Sequence, residues 1–227
     1  MIKYLFLDFD NTILDFTKAE SIAIRKTMRA YGLEPTDELA RRYSAINDWH
    51  WKALERGELT KPEVVTRRFA VFFGEQGIDV DEKAVAKTYE TFLSQGHWFL
   101  PGAEKAVKEE LFGKYRLFLA SNGTPVVQHG RMTSAGLYPY FEQSFISEEI
   151  GHSKPHPAMI HKAMADAGVT DPRQAVVFGD SITADIAAAR NAGVDSILYT
   201  NGADAPDGHG ADYVAHNFEE ALRLILG

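Results

Sequence analysis

The chain has 227 residues with the apolar and charged proportions of a globular protein, no cysteine, and a net charge of −8 at neutral pH. That acidic balance excludes the basic footprint needed to bind a nucleic-acid polymer, while one local cation would be enough for a small phosphorylated ligand. The missing cysteines exclude disulfides and thiolate metal ligands; with no long apolar run and no basic leader, no membrane association is expected and a cytoplasmic location is.

The apolar run from Tyr4 to Leu7, continued by Phe9, predicts a first strand buried on both faces. Asp8 and Asp10 lie where it runs out, and strand-like alternation would send both side chains the same way. From Asp15 the spacing turns helical. Ile22, Ile24, Met28 and Tyr31 mark a first helix closed by Gly32, and Thr36 opens a second through Leu39, Tyr43, Ile46 and Trp49. Thr60, with Pro62 at an early helical position, opens a third through Val64, Phe69, Phe72 and Phe73; Val85, Tyr89, Phe92 and Leu93 mark a fourth. After Pro101 short apolar runs return at 116–120, 145–147, 175–179, 196–200 and 213–215. Helical patterns at 103–111, 125–135, 156–167, 181–192 and 218–226 separate them, and 201–210 reads as a surface loop. Strands alternating with helices predict an α/β fold with a doubly wound, Rossmann-like parallel sheet core built from 1–14 and 99–227. The segment 15–98 is then an inserted α-helical cap domain.

Ligands of such sheets bind beyond the carboxyl ends of the strands, and reactive side chains gather there. Two carboxylates as close as Asp8 and Asp10 need a cation between them or a retained proton. The run at 116–120 leads into Ser121-Asn122-Gly123-Thr124, whose donors suit a phosphate at a helix start. The run at 175–179 leads into Asp180 and Ser181, with Asp185 beyond. Lys154 sits between Ser153 and Pro155, where prolines at 155 and 157 restrict the backbone.

This order, Asp8-x-Asp10-x-Thr12, then Ser121-Asn122, then Lys154-Pro155, then Gly179-Asp180-Ser181 with Asp185, resembles the haloacid-dehalogenase-like hydrolase superfamily, in particular its phosphatases with a helical cap after the first motif. The resemblance spans essentially the whole chain. It implies that Asp8 is the nucleophile and Asp10 the general acid and base. Ser121 and Asn122 would bind the transferring phosphoryl group, and Lys154 would pair with it and with Asp8. Asp180 would complete a Mg²⁺ site with the Asp8 carboxylate and the Asp10 backbone carbonyl, supported by Asp185. Mg²⁺ prefers such hard oxygen ligands. Thr12 either shapes the turn or contacts phosphate. Asn11, where the superfamily more often has glycine, resembles its pyrimidine 5′-nucleotidase branch.

The resemblance implies a small phosphorylated metabolite as substrate, a nucleoside 5′-monophosphate first of all, for a monomer or homodimer. Phosphoglycolate or sugar-phosphate hydrolysis and phosphoglucomutase-like transfer are the alternatives. A metal-free dehalogenase fits less well because an alkyl halide needs no proton from Asp10, and a non-catalytic binding protein is the remaining rival. In the cap, Trp49, His50, Trp51, His97 and Trp98 offer flat side chains for stacking on a base, and Phe16 and Lys18 follow the reactive turn closely enough to face substrate.

Overall fold

Tyr4–Leu7 forms β1, and alternation along it sends Leu5 and Leu7 into one apolar layer and Phe6 into another. The computed structural model describes all 227 residues. Five more strands, β2 (Arg116–Ser121), β3 (Gln143–Ile146), β4 (Ala175–Gly179), β5 (Asp195–Tyr199) and β6 (Tyr213–Ala215), complete one parallel sheet in the order β3-β2-β1-β4-β5-β6. The direction of winding reverses between β1 and β4, where the crevice of a doubly wound sheet opens. Register fixes what meets there. Leu7 stands opposite Leu119 on one side and Phe178 on the other. Asp8, one residue on, is therefore nearly level with Ser121 at the end of β2 and Asp180 just past β4.

Both faces of the sheet are covered, as an all-parallel sheet requires. Leu5, Leu7, Leu117, Leu119, Val176 and Phe178 pack under a helix over 103–111 (α5), α6 (Pro125–Ser134) and α10 (Phe218–Leu226). Phe6, Phe118, Ala120, Phe145 and Val177 pack under α8 (Pro157–Ala167) and a helix over 182–192 (α9).

Four helices lie between β1 and α5: α1 (Phe16–Ala30), α2 (Asp37–Glu55), α3 (Lys61–Glu75) and α4 (Glu82–Leu93). Their starts are written in the sequence. The Asp15 carboxylate accepts from Lys18 N at 2.8 Å, the Thr36 hydroxyl from Leu39 N at 3.1 Å, and the Glu63 carboxylate from Thr60 N at 2.8 Å. The four share a separate apolar centre in which the Tyr43 ring stacks on Phe69 and meets Phe72 edge-on, each at 5.5 Å between centroids. Where the chain leaves and rejoins the sheet layer, Asp15 N donates to Trp98 O at 2.8 Å and Leu100 N to Ile13 O at 3.0 Å. The fold is thus a doubly wound α/β core with an inserted helical cap.

The differences from the sequence reading are local. The β1 ladder stops at Leu7, because Phe9 O turns to accept from Ile13 N and Leu14 N. The third strand begins at Gln143 and ends at Ile146, two residues early at its start. As an edge strand it pairs only with β2, so polar Gln143 and Ser144 fit its open side. Ser147 instead opens an additional short helix, α7 (Ser147–Ile150). α5 is π-wound over Ala106–Leu111 and α9 over Ile182–Ile186. The segment 201–210 is a mostly exposed loop. No helix is long and apolar enough to cross a membrane.

Candidate active site

Asp8, Lys154 and Asp185 meet at the center of the crevice. The Lys154 ammonium is 2% exposed and donates to Asp8 Oδ1 at 2.7 Å, to Asp185 Oδ1 at 2.5 Å and to the Ala120 carbonyl at 2.6 Å. An ammonium has three donors, so all are committed. Burial alone would pull this lysine's pKa down, but Asp185 and Asp8 outweigh it and hold the pKa above its ordinary value. Lys154 reaches this point from a loop whose Lys154–Pro155 peptide is cis and whose backbone is clamped by Asn122. The Asn122 amide nitrogen donates to Lys154 O and its oxygen accepts from Lys154 N, both at 2.8 Å. The side chain of Asn122 thus positions Lys154, with one of its two amide protons left uncommitted beside the cavity it lines.

Asp185 is aimed by the π-wound start of α9. Its Oδ2 accepts from Ser181 N at 3.1 Å, and it lies against Gly179, where a Cβ would stand 2.3 Å from the carboxylate. Only glycine ends β4 without displacing Asp185. Such widened turns recur at functional sites.

Asp180 stands opposite. Thr12, fully buried, directs its hydroxyl between Asp8 Oδ2 at 3.2 Å and Asp180 Oδ1 at 3.4 Å. One hydroxyl proton cannot satisfy both carboxylates. Oxygens of Asp8, Asp180 and Asp185 all lie within 4.8 Å of one another. Burial, then repulsion from Asp185 and Asp180 against the pull of Lys154, pushes Asp8 up to about 8. Burial, then repulsion from Asp185, pushes Asp180 up to about 7. This crowded set of hard oxygens with one ammonium among them is short of positive charge, which suits a divalent cation of the Mg²⁺ type. Asp185 accepts from Lys154 Nζ at one oxygen and from Ser181 N at the other, whereas the facing oxygens of Asp8 and Asp180 share a single hydroxyl, that of Thr12. The Asp10 carbonyl accepts no hydrogen bond.

Ser121, 1% exposed, accepts from Gly123 N at 3.1 Å and from Gln128 Nε2 at 3.0 Å, and its own hydroxyl proton has no acceptor. Gln128 Nε2 also donates to Asp10 Oδ2 at 2.7 Å, and Arg131 Nη1 donates to Asp10 Oδ1. Both carboxylate oxygens of Asp10 accept, the pattern of an ionised group. Gln128 and Arg131, each 0% exposed, were not singled out from the sequence. Their signal is there: a glutamine and an arginine three residues apart, on the buried side of a helix that starts at a reactive strand end.

Asn11 has φ 56°, a left-handed conformation that glycine and asparagine tolerate best. Its Oδ1 accepts from Thr17 N at 3.1 Å and Thr17 Oγ1 at 3.2 Å, tying the reactive turn to the first turn of α1. That is a physical reason for asparagine at a position otherwise suited to glycine.

Most of these groups line one cavity of about 200 Å³, roofed by Phe16, Trp51, Glu55, Arg68, Glu90 and Leu93 from the cap. Of the aromatics named from the sequence, Trp51 and Phe16 line it. Trp49 is 55% exposed elsewhere, His50 is buried with Nδ1 on Ile46 O, and His97 stacks on Trp98, which carries Lys18 over its ring. Lys61 ties roof to floor, with Nζ donating to Asn122 O and lying over the Trp51 ring at 4.4 Å.

Comparison with known proteins accords with this arrangement. The family model of haloacid dehalogenase-like hydrolases matches residues 2–193. The pyrimidine 5′-nucleotidase PynA of Streptococcus pneumoniae is 34% identical over 197 residues, covering 87% of this chain and 83% of that protein. The glyceraldehyde 3-phosphate phosphatase of Pyrococcus abyssi is 28% identical over 214 residues, covering 89% and 83%. The crystal structure of the HAD-hydrolase YfnB of Bacillus subtilis, bound to magnesium, matches with a TM-score of 0.92 at 29% identity over 100% of this chain and 99% of that one. A buried lysine held between an aspartate at the end of β1 and another in the first turn of α9, and a family match over residues 2–193, from the first strand to the end of α9, lead to one conclusion: the chain belongs to the haloacid dehalogenase-like hydrolases.

Proposed function

We propose that this hydrolase is a Mg²⁺-dependent phosphomonoesterase acting on nucleoside 5′-monophosphates, pyrimidine ones first. The observation that carries the reaction is Asp8. Its carboxylate is fixed by Lys154 at one oxygen, shares Thr12 with Asp180 at the other, and lies in one cavity with the unspent Ser121 hydroxyl proton. The similarity to a pyrimidine 5′-nucleotidase and the presence of Asn11 support the substrate class. In this reading residues 15–98 act as a cap over a core of 1–14 and 99–227.

The Asp8 carboxylate attacks phosphorus in line with the leaving oxygen, giving an aspartyl-phosphate and splitting one hard displacement into two. A protonated Asp10 gives its proton to the leaving oxygen, which requires it to release Gln128 or Arg131. In the second step the ionised Asp10, held as seen here, takes a proton from water as that water attacks phosphorus, freeing phosphate and the Asp8 carboxylate. Lys154 keeps Asp8 and Asp185 neutralised. Of its three partners the uncharged Ala120 carbonyl is the least costly to exchange for a phosphate oxygen, and Ser121 donates to another. Asp8, Asp180 and the Asp10 carbonyl would hold Mg²⁺, whose charge, when it is bound, offsets that of the phosphate and the nucleophile.

The test is phosphate release from a panel containing UMP, CMP, AMP, phosphoglycolate, glyceraldehyde 3-phosphate and ribose 5-phosphate, with Mg²⁺ and with chelator. UMP or CMP is expected to have the highest kcat/KM, and chelator is expected to remove the activity. Metal-independent release would end the reaction assignment. A preference for the three-carbon phosphate, the reading favoured by the relative from Pyrococcus abyssi, would replace the substrate assignment alone.

A further inference from the structure

The roof of the cavity carries a cation that the chemistry above does not use. Arg68, on α3, is 3% exposed and lines the same cavity as Asp8 and Lys154. A guanidinium presents five N–H donors in a rigid fork. Here Nη1 donates to Asn47 Oδ1, and Nε is buried with no partner. Arg68 forms no ion pair, although Glu55 and Glu90 line the same roof. Its charge is faced by the Phe69 and Tyr89 rings, at 4.9 and 5.2 Å from their centroids, and feels the buried Glu20 carboxylate only across the shared Asn47 amide. A buried cation with unmet donors is costly, and a ligand bringing an acceptor would relieve the cost.

The surroundings say what kind of acceptor. Asn47 is fixed by donating to Glu20 Oε1 at 2.7 Å, and its Oδ1 accepts from Trp51 Nε1 at 3.1 Å as well as from Arg68. One buried amide therefore sets the guanidinium fork and the indole ring side by side on the cavity wall. A flat surface next to an oriented donor suits a planar ring bearing a carbonyl oxygen. A second anionic group suits it less well, because Glu55 and Glu90 share that roof and would repel it.

We infer that Arg68 reads the base of the nucleotide by donating to a ring carbonyl oxygen, with Trp51 as the face the base lies against and Asn47 as the positioning residue for both. This rests on the nucleotidase reading and adds to it the atom recognised. Pyrimidine bases carry a carbonyl at C2, adenine carries none, and ribose 5-phosphate has no base at all. Losing a hydrogen bond from a charged donor costs roughly ten- to a hundredfold in binding.

The experiment measures kcat and KM for UMP, AMP and ribose 5-phosphate in the wild type, Arg68→Gln and Arg68→Lys, with a thermal melt of each. The wild type is expected to prefer UMP to the other two. Arg68→Gln is expected to lower the UMP to ribose 5-phosphate ratio of kcat/KM roughly ten- to a hundredfold, through KM. Arg68→Lys, which keeps the charge and loses the fork, should recover part of that ratio and guards against a folding defect in the first variant. An unchanged ratio in a folded variant, or a loss confined to kcat, overturns the assignment of Arg68 alone. A wild type without preference for UMP over ribose 5-phosphate overturns the nucleotidase reading, and this assignment with it, before any substitution is made.

Discussion

Asp8→Asn is expected to cut phosphate release by more than about a thousandfold while leaving the melting temperature close to that of the wild type. The amide has the shape of the carboxylate but cannot attack phosphorus. The fold should not suffer, because Lys154 keeps Asp185 at 2.5 Å and Ala120 O at 2.6 Å, so no buried cation is orphaned. Removing one negative group also relieves the repulsion from Asp185 and Asp180 that, after burial, pushes Asp8 up to about 8. Turnover with saturating Mg²⁺ and a circular-dichroism melt check both halves. Near-wild-type turnover would remove Asp8 from the chemistry. Loss of activity accompanied by loss of fold would show that the carboxylate is needed for structure first.

Lys154→Met has the opposite profile, with activity and stability falling together. The substitution keeps an unbranched apolar stem but leaves Asp8, Asp180 and Asp185 crowded with no cation between them. Breaking a buried pair by removing one partner costs about 3–5 kcal/mol, because the remaining charges cannot regain water. Asp185 suffers most: it is 1% exposed and keeps only Ser181 N as donor. Urea unfolding in chelator gives the stability difference, and Mg²⁺ should return part of it by supplying charge to the same oxygens. A difference below about 1 kcal/mol in chelator would mean that the carboxylates find relief elsewhere and that Lys154 does not hold the site together.

The contrast between these substitutions follows from what is and is not legible in the sequence. The strand ends are legible because a buried parallel strand has no structural use for an acid at its terminus, so Asp8 and Asp180 stand out from their apolar runs. The four cap helices are legible from caps such as Thr36 and Thr60 and from apolar spacing. The π-wound turn at Ile182–Ile186 is not, because periodicity near 3.6 cannot register one extra residue, yet that turn aims Asp185. The work of Asn122 is hidden for a related reason. Its type suits a phosphate, but its partner is a backbone 32 residues away whose path no local pattern reveals. Gln128, Arg131 and Arg68 are hidden by the habit of reading buried helix faces as apolar. All three lie on such faces, where a polar group is costly unless something satisfies it. Two of them meet Asp10 and Ser121, and the third meets Asn47.

The most direct test of the account is to catch the covalent intermediate. Enzyme turning over UMP with Mg²⁺ is quenched in acid and reduced with borohydride, which converts an aspartyl-phosphate to homoserine, and its peptides are sequenced by mass spectrometry. Homoserine at position 8, absent without substrate, is the expected result. Phosphate release with position 8 unmodified, or homoserine at another aspartate, would contradict it.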